Sequence, residues 1–502
     1  MSLAAEASRL YLEGQRGVAR ARALPEALRH QEPGWALVLD AQRHAADPAL
    51  ASAPRFEAVA ALGPAHAGVV WRAAIELAKN ALLAFDPAEL VRATRLAAEL
   101  VARAEDGRGA LWVRALERWV ALARGQASGD DGLGAAARAA GDAPLVVEAT
   151  ALDALAAAAA GELDVALECA RRASRMARTE ALPQAEYLAH LVLARLRRLR
   201  GYPHLAGRIL DALARLASPR WHRWLAWERG WAGTVELPGG LAAAREAARA
   251  GDRAAYGAAT EALYDQVRDF APVALEARCF VAACDPDAAP PPQLAAWCAG
   301  ADARAPLGLY APDDHGSLGY VACRPESRGR RILPPGQGLF DAPLLPRQRR
   351  KQSRVESLVS VLALAGPEGV HEADAFRAVY GFAFVPELHR GTFDVAQHRA
   401  RTYLGARGSL ERRGGDVRLV LTEPVLVPDP RCAEPLENRL LRAVAGGARS
   451  AKAAADAAGV SLRQAQKVLQ ELARDGACVA DREGRQVAYR VEDTTFSEPT
   501  RH

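Results

Sequence analysis

VSLRQAQKVLQELARDGACVADREGRQVAYRV, residues 460–491, reads as a capped helix, a glycine stop and a tight hairpin. Ser461 is an N-cap type standing directly before the helical period begins. Ala465, Leu469 and Leu472 then recur at i, i+4 and i+7, one face of a helix that buries. The other face carries Arg463, Gln464, Gln466, Lys467 and Gln470, long donors and acceptors able to reach base edges or phosphate from a major groove. After Gly476, apolar and polar residues alternate around Glu483-Gly484, which predicts a hairpin with Val487, Tyr489 and Val491 facing inward and Arg482 and Arg485 at its tip. Upstream, "LENRLLRAVAGG" predicts one helix, and "SAKAAADAAG" a second, capped by Ser450 and stopped by Gly459. The unit spans 432–493, three helices and a hairpin.

The same order occurs once before, over 346–428. The basic run "RQRRKQSR" (347–354) leads into the helix "VESLVSVLALAG", which stops at Gly366-Pro367. "VHEADAFRAVYGF" and "PELHRGTFDVAQHRARTYLG" predict two more helices, and "LERRGGDVRLVL" a hairpin turning at Gly414-Gly415. With "AVYG" at 378–381 and "FDVAQHRARTYL" at 393–404, this segment resembles the OmpR-type winged-helix DNA-binding domain of bacterial response regulators and the related activators joined to helical repeats. Gln397 and Ala400 stand where that family usually has large aliphatic residues. The later unit resembles the winged helix-turn-helix of bacterial transcription regulators.

Both resemblances imply double-stranded DNA as partner. The implied contacts are Ser461, Arg463, Gln464, Lys467, Arg482 and Arg485 in the later unit. In the earlier one they are Arg390, Gln397, His398, Arg401, Arg412 and Arg413. A homodimer is compatible with this reading. Winged helices also end helical-repeat scaffolds such as the PCI subunits of large eukaryotic assemblies, so an interaction scaffold whose winged helices dock proteins and never touch DNA is the competing reading.

Upstream of both, residues 1–305 are rich in alanine, leucine and arginine at helical spacing. "GELDVALECARRASRMA" (from Gly161) and "GYPHLAGRILDALARLA" (from Gly201) align with an offset of 40. Val165, Cys169, Ala173 and Met176 then correspond to Leu205, Ile209, Leu213 and Leu216, predicted as one buried face in each helix. Each segment follows another helix across a turn, and a lone hairpin cannot bury its stripe, so stacking is expected. With Ala166 and Ala206 at close-packing points, the region resembles tetratricopeptide repeats; an irregular helical bundle is the alternative. Such a platform would sense a signal or dock a protein partner. Trp221, Trp224, Trp227 and Trp231, three and four apart, read as a packing stripe rather than a ligand box.

The expected fold class is therefore mainly α: a TPR-like helical solenoid, then a strand-and-turn linker at 306–345, two winged-helix (α+β) domains and a disordered tail at 494–502. The chain of 502 residues has a net charge of +5. Residues 324–502 hold 29 Arg and Lys against 22 Asp and Glu, while 1–323 hold 36 against 38. The positive excess lies at the end expected to meet nucleic acid. Arginine outnumbers lysine 61 to 4, a bias that with the alanine richness follows GC-rich coding. No secretory signal and no membrane span are read, which makes the cytoplasm the expected compartment.

Seven scattered cysteines without a CxxC pair predict reduced thiols and no structural zinc. No phosphate-binding loop, dinucleotide fingerprint or HExxH is present. "DDHGS" at 313–317 puts acid, base and nucleophile types side by side on a turn, where they cannot converge on one substrate. Neither an enzyme nor a cofactor is expected.

Overall fold

The computed structural model describes residues 2–15, 25–46, 51–126, 129–200, 202–216, 219–231, 239–284, 319–332, 342–346, 348, 353–432, 435–474, 477–483 and 486–491. The protein is mainly helical, with small antiparallel sheets among the described residues. It forms two compact units, residues 1–235 with 267–274, and 236–266 with 275–491. The expected tail at 494–502 and the "DDHGS" turn lie outside the described residues.

The first unit is built from α1 (Leu3–Gln15), α2 (Glu26–Gln31), α3 (Pro33–Ala46), α4 (Phe56–Leu83), α5 (Pro87–Ala104) and α6 (Gly107–Ala123). It continues through α7 (Leu133–Ala139), α8 (Ala143–Ala159), α9 (Leu163–Thr179), α10 (Pro183–Leu199), α11 (Pro203–Leu216) and α12 (His222–Trp231). Most of these helices pack on the next, and α4, α6 and α8 also pack on the next but one. Aspartate caps set several starts: Asp86, Asp106 and Asp142 accept from the backbone N–H of Glu89, Gly109 and Leu145 at 2.9, 2.8 and 3.2 Å. Pro87 follows its cap, where a missing N–H costs nothing. Helix α4 alone among those described is long and apolar enough to cross a membrane, but it carries Arg72, Glu76 and Lys79 and packs against α3, α5 and α6.

The internal offset of 40 holds at Ala166 and Ala206, Ala170 and Leu210, and Ala173 and Leu213, all fully buried. Of the predicted faces, Leu205, Ile209 and Leu213 are buried on α11, but on α9 only Ala173 is, with Cys169 and Met176 half-buried. Val165 is 53 % exposed and Leu216 52 %. Helix α9 turns its small residues inward instead, Ala166, Ala170, Ala173 and Ala177 with Leu167, which lets neighbouring helix axes approach closely.

The four tryptophans at 221–231 are buried, as a packing stripe requires. Trp224 packs edge-on to Trp119, and its Nε1 donates to Glu228 at 3.2 Å. Glu228 is fully buried; burial alone would raise its pKa, but Arg198 and Arg195 outweigh it and hold the carboxylate charged.

The second unit contains α13 (Gly239–Ala250), α14 (Arg253–Val267) and α15 (Ala271–Cys284), except where residues 267–274 join the first. Part of the helical stretch 1–305 therefore groups with the C-terminal unit. Where the stretch 306–345 is described it holds strands: β1 (Gly319–Cys323) pairs with β2 (Arg330–Ile332) and with β6 (Val425–Asp429), opposing Val321 to Val427. Buried Asp429 binds Arg331 at 2.9 Å and Arg431 at 2.8 Å, clamping β6 to β2 through their side chains.

Against this sheet stands α16 (Ser353–Ala365), followed by β3 (Val370–His371), α17 (Glu372–Tyr380), α18 (Pro386–Leu404), β4 (Gly408–Arg413) and β5 (Asp416–Leu421). Gly414 and Gly415 take φ of +62° and +96°, the left-handed geometry of a two-residue hairpin turn. A last module comprises α19 (Leu436–Ala445), α20 (Ala451–Ala458), α21 (Leu462–Arg474), β7 (Val479–Glu483) and β8 (Gln486–Arg490).

Ile209 is 1 % exposed and Val165 53 %. Ile209→Asp should lower stability by about 3 kcal/mol or more through an unpaired buried charge, and Val165→Asp by less than about 0.5 kcal/mol. Thermal melts of the two variants check this; equal losses would contradict the face assigned to these helices.

His190 is fully buried, with Ser174 Oγ 3.1 Å from Nε2 and the Glu186 carbonyl 2.8 Å from Nδ1. Burial pulls its pKa down to about 4, below the ordinary 6.5. The unfolded chain therefore takes up this proton first as acid is added. The contribution is intact above pH 6.5 and is lost as pH falls towards 4, with a slope of at most about 1.4 kcal/mol per pH unit. Chemical denaturation across that range should be flatter for His190→Asn than for the parent.

Candidate nucleic-acid interface

The helix–turn–helix of the last module is fixed by local chemistry. Ser450 Oγ accepts from Ala453 N at 3.1 Å and opens α20. Gly459, at φ +63°, ends it, and Val460 N closes the turn onto the Ala455 carbonyl at 3.0 Å. Ser461 Oγ accepts from Gln464 N at 3.3 Å and opens α21. Ala465, Leu469 and Leu472 are buried, as predicted, and Arg463, Gln464, Gln466, Lys467 and Gln470 are exposed.

Backbone pairing seats the hairpin against the start of α20: Tyr489 N donates to Arg449 O at 2.7 Å, and Ser450 bridges Ala488. Tyr489 and Val491 are buried, but Val487, expected inside, is 46 % exposed. It pairs with Arg482 near the tip. Arg482 is exposed. Arg485 lies outside the described residues.

Among the described residues, Arg449, Lys452, Arg463, Lys467 and Arg482 are exposed and form no ion pair. Asp481 on the hairpin is taken by Arg490 at 2.7 Å. Arg449 and Lys452 were not picked out from the sequence. Their signal was position, since they flank the Ser450 cap, where free N–H groups and a positive helix end favour phosphate.

In the module of α16–α18 the expected contacts fare differently. Gln397 is 3 % exposed and points into the core, so it cannot reach a ligand. The cause is its register: Phe393, Ala396, Gln397, Ala400 and Leu404 share the inward face of α18. Arg390 binds Glu372 at 3.0 Å, and Arg412 binds both Glu372 and Asp394. Arg401 Nε donates to the Leu410 carbonyl at 3.2 Å, bracing α18 on β4. His398 and Arg413 remain exposed without an ion pair among the described residues. Phe382, Val385, Leu388 and Val395 are exposed in the same module, with Leu388 at 73 %.

Cys279, Cys323, Cys432 and Cys478 are buried and Cys169 is half-buried. Burial pushes the Cys323 thiol up to about 11. The described residues contain no cluster of acidic, histidine and cysteine side chains able to hold a metal. Comparison with protein-family models, curated proteins and solved structures finds no match.

The Gln397 amide nitrogen is buried without a partner. Gln397→Leu should therefore keep or raise the melting temperature, since it removes an unsatisfied polar group at similar volume, and should leave DNA affinity unchanged. Loss of DNA binding in a well-folded variant would return this residue to the interface.

Proposed function

We propose that this protein is a DNA-binding transcriptional regulator. In this reading α19–β8 is a winged helix that carries α21 into the major groove of duplex DNA, and the helical N-terminal region senses a signal or docks a protein partner. The supporting observation is the exposed face of α21: Arg463, Gln464 and Lys467 follow directly on a capped turn and carry no carboxylate partner among the described residues. Arginine can bind guanine O6 and N7 in two-point contact, and glutamine can do the same to adenine. Arg449, Lys452 and Arg482 flank the helix and would hold the phosphates on either side, contacts that position without reading sequence. The cytoplasm is the compartment this function calls for.

The order of α16–β5, helix, short strand, two helices and hairpin, also supports a winged helix for the earlier module. Arg390 and Arg412 are committed to Glu372 and Asp394, Arg377, Arg407 and Arg418 to other carboxylates, and its outer surface is apolar at Leu388 and Val395. For this module those observations favour protein docking, the competing scaffold reading, over DNA contact. DNA contact by this module would instead run through His398 of α18 and Arg413 of β4.

Two substitutions in the full-length chain separate reading from positioning. Arg463→Ala should cost about 1–3 kcal/mol at the preferred site and relax preference at one base position. Arg482→Ala should weaken preferred and scrambled duplexes alike and reduce the slope of log K against log salt by about 0.9. Fluorescence anisotropy over a salt series measures both. A chain that binds no genomic fragment at low salt would leave the scaffold reading.

A further inference from the structure

The first unit contains a cleft of about 90 Å³ whose walls include Trp71, Trp112, Trp119 and Trp221. Its polar lining is mostly self-neutralised. Lys79 Nζ lies 2.6 Å from Glu148, whose other oxygen accepts from Trp119 Nε1 at 3.0 Å. Arg220 lies 2.9 Å from Glu76.

Arg72 is the exception. It is half-buried, it lines the cleft, and no carboxylate pairs with it among the described residues. Its guanidinium packs 4.1 Å from the Trp71 ring centroid and 5.7 Å from that of Tyr11, and donates to the Gly68 carbonyl of its own helix at 3.0 Å. Removal from water works against its charge. An arginine held this way keeps planar donors to spare, since Asp106 and Asp142 offset its charge only at a distance and neither pairs with it.

The other ligand classes fit less well. A cation would seek the indole faces, but Arg72 already covers Trp71 and Lys79 lies 4.3 Å over Trp112. A phosphate dianion would want several free cations, and Lys79 and Arg220 are committed to their acids. A single guanidinium fork matches a single carboxylate, and the tryptophan walls match an apolar body.

We propose that this cleft binds a small monocarboxylate with an aromatic or aliphatic body, its carboxylate on Arg72 and its body against the tryptophans. Gln184 also lines the cleft, with its amide oxygen buried and without a donor, and so adds a polar anchor for a ligand N–H or O–H. The inference stands apart from the DNA reading, and its test contains no DNA.

The experiment titrates the full-length protein with phenylacetate and hexanoate, followed by tryptophan fluorescence and calorimetry. Phenylacetamide (the body without the charge), acetate (the charge without the body) and inorganic phosphate are the comparators. The expected result is saturable binding of phenylacetate or hexanoate, at least tenfold tighter than phenylacetamide, acetate and phosphate. Arg72→Gln should weaken it tenfold or more at an unchanged melting temperature, and Arg72→Lys, which keeps charge but not the fork, should fall between. If Arg72→Gln fails to fold, the comparison of phenylacetate with phenylacetamide on the parent chain still decides. Equal binding of those two, tighter binding of phosphate, or no saturable binding of either carboxylate to the millimolar range would overturn the proposal.

Discussion

Buried carboxylates on α8 organise the first unit. Asp142 caps that helix through Leu145 N and takes Trp112 Nε1 at 2.9 Å and the guanidinium of Arg108 from α6. Two turns on, Glu148 takes Trp119 from α6 and Lys79 from α4. Helix α8 is buried on nearly every side, so these acids have no water to fall back on. Each is tolerable only because several donors converge on it. The same requirement fixes the rotations of α4 and α6 about α8, and with them the tryptophan walls of the cleft.

Charge pairing of the same kind separates the two C-terminal modules. Glu372, buried at the start of α17, draws in Arg390 and Arg412 and so takes two of the earlier module's expected contacts out of play. In the later module Asp481 takes Arg490, while Arg449, Lys452, Arg463, Lys467 and Arg482 stay exposed without an ion pair among the described residues. A solvated arginine exchanges counterions for phosphate at little cost, whereas a paired one must first break its bond. Two modules of similar element order are therefore proposed to have different partners.

Much of this organisation was legible in the sequence because it rests on local rules. Ser450, Gly459 and Ser461 bound their helices through contacts no more than four residues away, so cap and stop could be read directly. Gly414-Gly415 declared its turn for the same reason. Along α21 the apolar period was sharp enough to assign both faces correctly. It was less so on α9, where alanines dominate the inward face and Val165, the more apolar residue, points to solvent.

What the sequence determined by itself was helical content, the order of elements, the turns, and which end of the chain carries positive charge, since each follows from neighbours along the chain or from composition. Tertiary structure decided the rest: that 319–332 joins a sheet with 425–429, that Gln397 faces a core, that Glu372 takes the arginines of α18 and β4, and that Arg72 stands unpaired among aromatic rings. Each of these depends on groups distant in sequence arriving within a few ångströms of one another. Whether a charge is free or spent is a property of that meeting, and no spacing along the chain encodes it.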